Sequence, residues 1–189
     1  MVDKGLKKLG RDDWLLAALQ MCEQGIDQVR VARLAKDMGV TTGSFYWHFK
    51  NRQDLLDALL DYWERELTDV AIDTARKADV MPLERILLLM ESVMQGNMAR
   101  YDLPIWAWAQ SDSKARRIFN RALKKRFAFA AWMFKEAGFS GEEAKTRGRL
   151  MVTYMMAEST LVRDKEARSR KARSRKAIRL KHAILTKHD

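Results

Sequence analysis

Residues 31–49 read VARLAKDMGVTTGSFYWHF, and the fold turns on how this stretch breaks in its middle. Val31, Leu34, Ala35 and Met38 fall at i, i+3, i+4 and i+7, the spacing of one helical face. Met38-Gly39-Val40 interrupts that face, with glycine supplying a left-handed turn and valine packing beneath it. A second helical piece opens with Thr41-Thr42-Gly43-Ser44, where Thr41 can act as the cap, and runs to about Phe49. Small polar residues at a helix start let its backbone N–H groups approach phosphates or base edges. Tyr46, Trp47 and His48 then set three polar-tipped rings between Phe45 and Phe49, which read as core. Two short helices joined by a glycine turn make a helix-turn-helix over residues 30–49, whose expected partner is double-stranded DNA.

Working outward, Asp12 or Asp13 can cap a preceding helix that stacks Trp14, Ala18 and Cys22 at intervals of four, ended by Gly25. On the other side Asn51, with Asp54 three residues on, caps a long helix. Leu55, Leu56, Leu59, Leu60, Trp63, Leu67 and Val70 continue one apolar face of it toward Asp79. Pro82 suits the first position of the next helix, on which Ile86, Met90, Val93, Met94 and Met98 share a side. Pro104 opens a short segment with Trp106 and Trp108, and Asp112 caps a helix running through Phe119, Phe127 and Phe134 to Gly138. Ser140 and Glu143 form an S-x-x-E capping box before Leu150, Met151, Tyr154, Met155 and Leu161. Eight or nine helices and no strand are expected, an all-α chain.

The bulk composition permits this and excludes several alternatives. Of 189 residues 47% are hydrophobic and only two are proline, which favours long helices around a real core. No apolar run is long enough for a membrane span, and the first eleven residues are polar and basic rather than a secretory signal. Cys22 is the single cysteine, so no internal disulfide can form, consistent with a reducing cytoplasm. The net charge of +11 is unevenly spread: residues 1–60 carry nine Lys and Arg against eight Asp and Glu, whereas residues 163–189 carry eleven against three. The basic character therefore belongs to the tail, and the DNA reading must rest on the helix-turn-helix residues themselves. Three histidines without metal-ligand spacing, and no phosphate loop or nucleophile elbow, predict no enzyme, no metal and no cofactor.

The stretch resembles the tetracycline-repressor (TetR/AcrR) family of bacterial transcriptional regulators. Residues carrying the resemblance are Ala17-Ala18-Leu19, Gly25, Leu34-Ala35, Gly39-Val40, Gly43-Ser44-Phe45-Tyr46-Trp47-His48-Phe49, and Asn51 with Leu55-Leu56, within residues 11–62. Tyr46-Trp47-His48 followed by Lys50-Asn51-Arg52 is especially close to the family's founding repressor. The resemblance implies an N-terminal three-helix helix-turn-helix DNA-binding domain (residues 9–68), a larger helical ligand-binding and dimerisation domain (69–164), and a homodimer on a palindromic operator. It assigns Thr41, Thr42, Gly43, Ser44, Tyr46, Trp47 and His48 to the recognition helix, with Lys50 beside it. Tyr46, His48 and Arg52 would position phosphates, and Thr42, Gly43, Ser44 and Trp47 would meet base edges or thymine methyls. Two positions depart from the pattern: Arg30 stands where a capping threonine is usual and is left for phosphate, and Thr42 replaces a common lysine.

Eight of the eleven methionines fall between Met81 and Met156. Met90, Met94, Met98, Met151 and Met155, with Trp106, Trp108, Phe119 and Phe127, read by themselves as ordinary core. The resemblance implies instead that they line a cavity for a small apolar or aromatic effector. In residues 165–189 the motif Ala-Arg-Ser-Arg-Lys occurs twice in succession before Ile178, Leu180, Ile184 and Leu185. Three readings stay open there: a loop leading to a final helix on the dimer bundle, a basic DNA-binding arm, and a solvated tail. A constitutive or architectural nucleic-acid-binding protein without effector is the alternative function.

Overall fold

The computed structural model describes residues 9–160 and 175–187, and the chain divides into two compact units between Tyr62 and Trp63. Among the described residues there are helices and no strand.

The first unit contains α1 (Arg11–Cys22), a 3-10 turn (Ile26–Gln28), α2 (Val31–Asp37), α3 (Thr42–Phe45) and the beginning of α4 (Arg52–Glu64). Its core is aromatic at the centre. Phe45 meets Trp14 edge-on at 5.5 Å and stacks on Phe49 at 5.3 Å, and Leu19, Leu34, Leu55 and Leu59 are buried in the same unit. Each such side chain contributes about 1.5–3 kcal/mol of burial, which is what holds helices this short in place. Gly25 at φ 110° and Gly39 at φ 69° make the two expected left-handed turns.

The caps differ in detail from expectation. Gly10, not Asp12 or Asp13, is the cap residue of α1, and Asp13 at N3 reaches back to accept the Gly10 N–H at 2.7 Å. Asn51 caps α4 by accepting the Asp54 N–H at 2.9 Å, while Asp54 turns back to the Lys50 N–H at 2.9 Å. Thr41 occupies the cap position of α3 without a side-chain bond, and the regular helix closes at Phe45 rather than Phe49. Tight turns follow, with the N–H groups of His48 and Phe49 both donating to the Phe45 carbonyl.

The second unit continues α4 through a π turn (Arg65–Asp69) into α5 (Val70–Lys77). Then come α6 (Pro82–Gln95), a 3-10 turn (Met98–Tyr101), α7 (Asp102–Ala109), α8 (Ser113–Glu136), α9 (Gly141–Thr160) and α10 (Arg175–Thr186). Pro82 takes the first turn of α6, and Asp112 caps α8 by accepting the Ala115 N–H at 2.8 Å. Ser140 accepts the Glu143 N–H at 3.3 Å, but Glu143 pairs with Arg147 instead of closing the box. The core joins α6, α8, α9 and α10 through Ile86, Met90, Phe134, Met151 and Ile178, all fully buried. Residues 175–186 form a helix whose Ile178 is buried in this core, and residues 165–174 lie outside the described residues. Helices α8 and α9 approach very closely at Gly148, where a Cβ would stand 2.8 Å from the Ala131 nitrogen and 3.1 Å from the Ala130 Cβ.

Two expected stripes are broken. The π turn, in which Val70 N–H bonds to the Arg65 carbonyl five residues back, adds a residue to the turn and shifts the helical phase. Thr68 is turned inward at 1% exposure and Val70 outward at 46%, against the apolar face read from sequence. Met98 does not follow Met90 and Met94 on α6, because Asn97 at φ 51° ends that run and starts the 3-10 turn.

Candidate nucleic-acid interface and inner cavity

In the first unit the sequence-nominated residues split into two groups by what their side chains touch. Thr41, Thr42, Gly43, Tyr46, Trp47 and Lys50 are exposed, and Ser44 and His48 are half-buried. Trp47 is 88% exposed and Tyr46 64%, although Phe45 and Phe49 on the same short piece are sealed in the core. The Ser44 hydroxyl donates to the Thr41 carbonyl at 2.7 Å, steadying the first turn. A Cβ at Gly43 would meet only the Thr41 Oγ1, at an ordinary 3.6 Å, so nothing within the unit demands glycine there. Small residues at the α3 start with two large rings beyond them form an exposed ridge.

Arg30 and Arg52 are placed differently. Arg30 is exposed, and its Nε donates to the Asp27 carbonyl at 3.1 Å. Arg52 is half-buried and donates through Nε to the Val29 carbonyl at 2.6 Å and through Nη2 to the Ile26 carbonyl at 2.8 Å. It thereby fastens the α1–α2 linker to the start of α4. Arg11, which sequence reasoning did not nominate, lies 4.5 Å over the Phe49 ring and donates to the His48 carbonyl at 2.8 Å, bracing the far end of the ridge.

In the second unit a cavity of about 50 Å³ lies among the π turn, α6, α8 and α9. Of the nominated lining residues Met98, Met151 and Met155 face it. The others have different places. Met90 and Met94 are core, Trp106 is 47% exposed, Trp108 is buried away from the cavity, Phe119 stacks on Trp63 at 5.8 Å, and Phe127 lies under Arg149.

One wall is polar, which the sequence did not announce. Arg126 Nη1 pairs with Asp102 Oδ2 at 2.7 Å, its Nε donates to Thr68 Oγ1 at 2.9 Å, and its Nη2 to the Leu67 carbonyl at 3.3 Å. Asp102 also accepts from the Trp63 indole at 3.2 Å, and the Arg126 guanidinium lies 5.2 Å over that ring. These groups come from positions up to 63 residues apart in a helical order no local motif records, except that Arg126 interrupts an otherwise apolar stripe of α8. Just outside, Glu64 is buried and held between Arg121 and Lys125, and the hydrogen bond from Arg121 keeps its carboxyl below the ordinary glutamate range.

Comparison with known proteins agrees with the helix-turn-helix. Residues 15–59 match the family described as bacterial regulatory proteins, tetR family. Over 96 residues the chain is 44% identical to the probable HTH-type transcriptional regulator ArpR of Pseudomonas putida, covering 51% of this chain and 40% of that protein. Over 55 residues it is 40% identical to the class D tetracycline repressor protein of Escherichia coli, covering 29% and 25% respectively. The chain therefore matches less than half the length of these relatives. In overall fold it is similar to a transcriptional regulator from Rhodococcus sp. Rha1 (TM-score 0.69, 16% identity, 94% of each chain). It is likewise similar to the regulator FadR of Bacillus subtilis in complex with stearoyl-CoA (TM-score 0.64, 18% identity, 92% and 96% of the chains). The N-terminal unit is thus similar over residues 15–59 to the tetR family of bacterial regulatory proteins.

Proposed function

We propose that this protein is a cytoplasmic transcriptional repressor that binds a palindromic operator as a homodimer and releases it when a small apolar or aromatic effector binds. The observation that carries the DNA reading is the ridge at residues 41–48. Two large rings stand in solvent on a piece of chain whose alternate rings are locked in the core, behind a glycine that only an outside partner would require. On duplex DNA, Thr42, Gly43, Ser44 and Trp47 read base edges, while Tyr46, His48, Lys50 and Arg30 contact phosphates. Arg52 acts through the fold.

The homodimer reading draws on α9 and α10, where Leu150, Leu180 and Ile184 are 58–68% exposed and Tyr154 is 37% exposed. Exposed apolar residues on two helices of one unit suit a second copy. The match of residues 15–59 to the tetR family and the cavity of the second unit support an effector, and the stearoyl-CoA complex is a precedent for a ligand in this fold. Among the described residues no helix is long and apolar enough to cross a membrane.

Fluorescence anisotropy with DNA from the protein's own promoter region tests the central reading. Tyr46→Ala weakens binding about tenfold across operator variants, whereas Thr42 and Ser44 substitutions change which bases are preferred. Unchanged affinity for Tyr46→Ala removes the phosphate role. Equal affinity for promoter and random duplex favours the architectural alternative.

A further inference from the structure

The polar wall of the inner cavity restricts what can enter it. Asp102 and Arg126 are 2% and 13% exposed as side chains and form a pair with no net charge. Both Asp102 oxygens already accept, one from Trp63 and one from Arg126. Arg126 keeps one further proton on each of Nη1 and Nη2, and the Thr68 hydroxyl, which accepts from Arg126, still has its own proton to give. The wall therefore offers uncommitted protons on Arg126 and Thr68, while each Asp102 oxygen is already engaged once and its charge is balanced by Arg126. The lining also includes Met98, Met151, Met155, Met156 and Phe129, soft apolar groups that reshape readily.

We propose that this cavity selects an uncharged ligand with an apolar or aromatic body and one hydrogen-bond acceptor, which meets Arg126 and Thr68. The inference rests on the effector role proposed above and specifies its chemistry. An anionic ligand would bring a second buried negative charge beside Asp102 with a single guanidinium to serve both. A cationic one would lie beside the Arg126 guanidinium with a single carboxylate to balance both charges. At about 50 Å³ the resting cavity holds little more than water, so admission requires its side chains to move. Ile72 and Phe129 are the wall residues that also line an open groove between α5 and α8, where Arg76 sits 5.5 Å over the Phe129 ring. Rotation of Phe129 joins cavity and groove, which gives the ligand both its volume and its way in.

Three aromatic probes of similar size separate the possibilities in titrations of the full-length protein by calorimetry or ligand-observed NMR. Acetophenone is neutral with an acceptor, ethylbenzene is neutral without one, and benzoate is anionic. Acetophenone is expected to bind about three- to tenfold tighter than ethylbenzene, the worth of one hydrogen bond in a partly dry site. Benzoate should bind at least about tenfold more weakly than acetophenone. In Thr68→Val acetophenone falls toward ethylbenzene while ethylbenzene is unaffected. Asp102→Asn, which frees the Arg126 charge, gains benzoate. Benzoate binding tighter than acetophenone in the unaltered protein overturns the selection for uncharged ligands and leaves an effector role standing. Equal binding of acetophenone and ethylbenzene overturns the acceptor contact. Binding of none of the three overturns both this proposal and the effector role of the cavity, while the DNA-binding reading is decided separately by anisotropy.

Discussion

Arg52→Ala separates a residue that holds the DNA-binding unit together from one that touches DNA. The guanidinium donates to two carbonyls of the α1–α2 linker, at 2.6 and 2.8 Å, from a half-buried position. Hydrogen bonds from a charged donor contribute about 1.5–3 kcal/mol each when well buried. Water can reach carbonyls freed this near the surface, so the two together are worth about 2 kcal/mol, at the low end. That corresponds to roughly a 30-fold rise in local opening. Hydrogen exchange read by mass spectrometry should show it in peptides covering residues 23–31, with the second unit unchanged. DNA binding then weakens because fewer molecules present an ordered ridge, and the salt dependence keeps its slope. A direct phosphate contact predicts the opposite: unaltered exchange and a log–log salt slope smaller by about 0.9. That second outcome would refute the bracket role derived from the geometry.

Gly148→Ala places a methyl 2.8 Å from the backbone of α8, and should cost about 1–3 kcal/mol, seen as a lower Tm, with DNA affinity kept at low temperature. The Cys22 thiol is fully buried and pushed up to about 12 by that burial, so it should resist a thiol reagent at pH 8 and react fully only on unfolding. Glu64, whose carboxyl is held low chiefly by the Arg121 hydrogen bond, stabilises the fold above the ordinary glutamate pKa and loses that contribution as pH falls through its own lower value. Glu64→Gln should therefore flatten the acid limb of a Tm-against-pH curve below about pH 4.5.

The helix-turn-helix was legible because its signals are local. Gly39 at its left-handed turn, Asn51 at the α4 cap, and Phe45 and Phe49 in the core all follow from spacing within a few residues. The second role of Arg52 was hidden for the same reason: its bonds reach carbonyls 23 and 26 residues earlier, beyond the range of local spacing. In the second unit most helix starts could be read, although the π turn that divides α4 from α5 could not, nor could the cavity. Methionine spacing marks a buried face without saying whether that face meets a neighbour or a void. Met90 and Met94 met neighbours, whereas Met151 and Met155 border the void. The Thr68–Arg126–Asp102 cluster depends on tertiary register alone.

The π turn also bears on how the gene could change. Removing a codon from the middle of a helix ordinarily forces a distortion, since every later side chain must rotate by about 100°. Between Arg65 and Asp69 one codon could be lost and the backbone would relax to regular α geometry. Val70 and the residues after it would keep their present faces, and the damage would be confined to the turn itself. If the lost codon were that of Thr68, the chain would still fold its helix but lack the hydroxyl that Arg126 meets at the cavity. On the proposed role of the cavity, length in that turn is a coding variable for ligand chemistry.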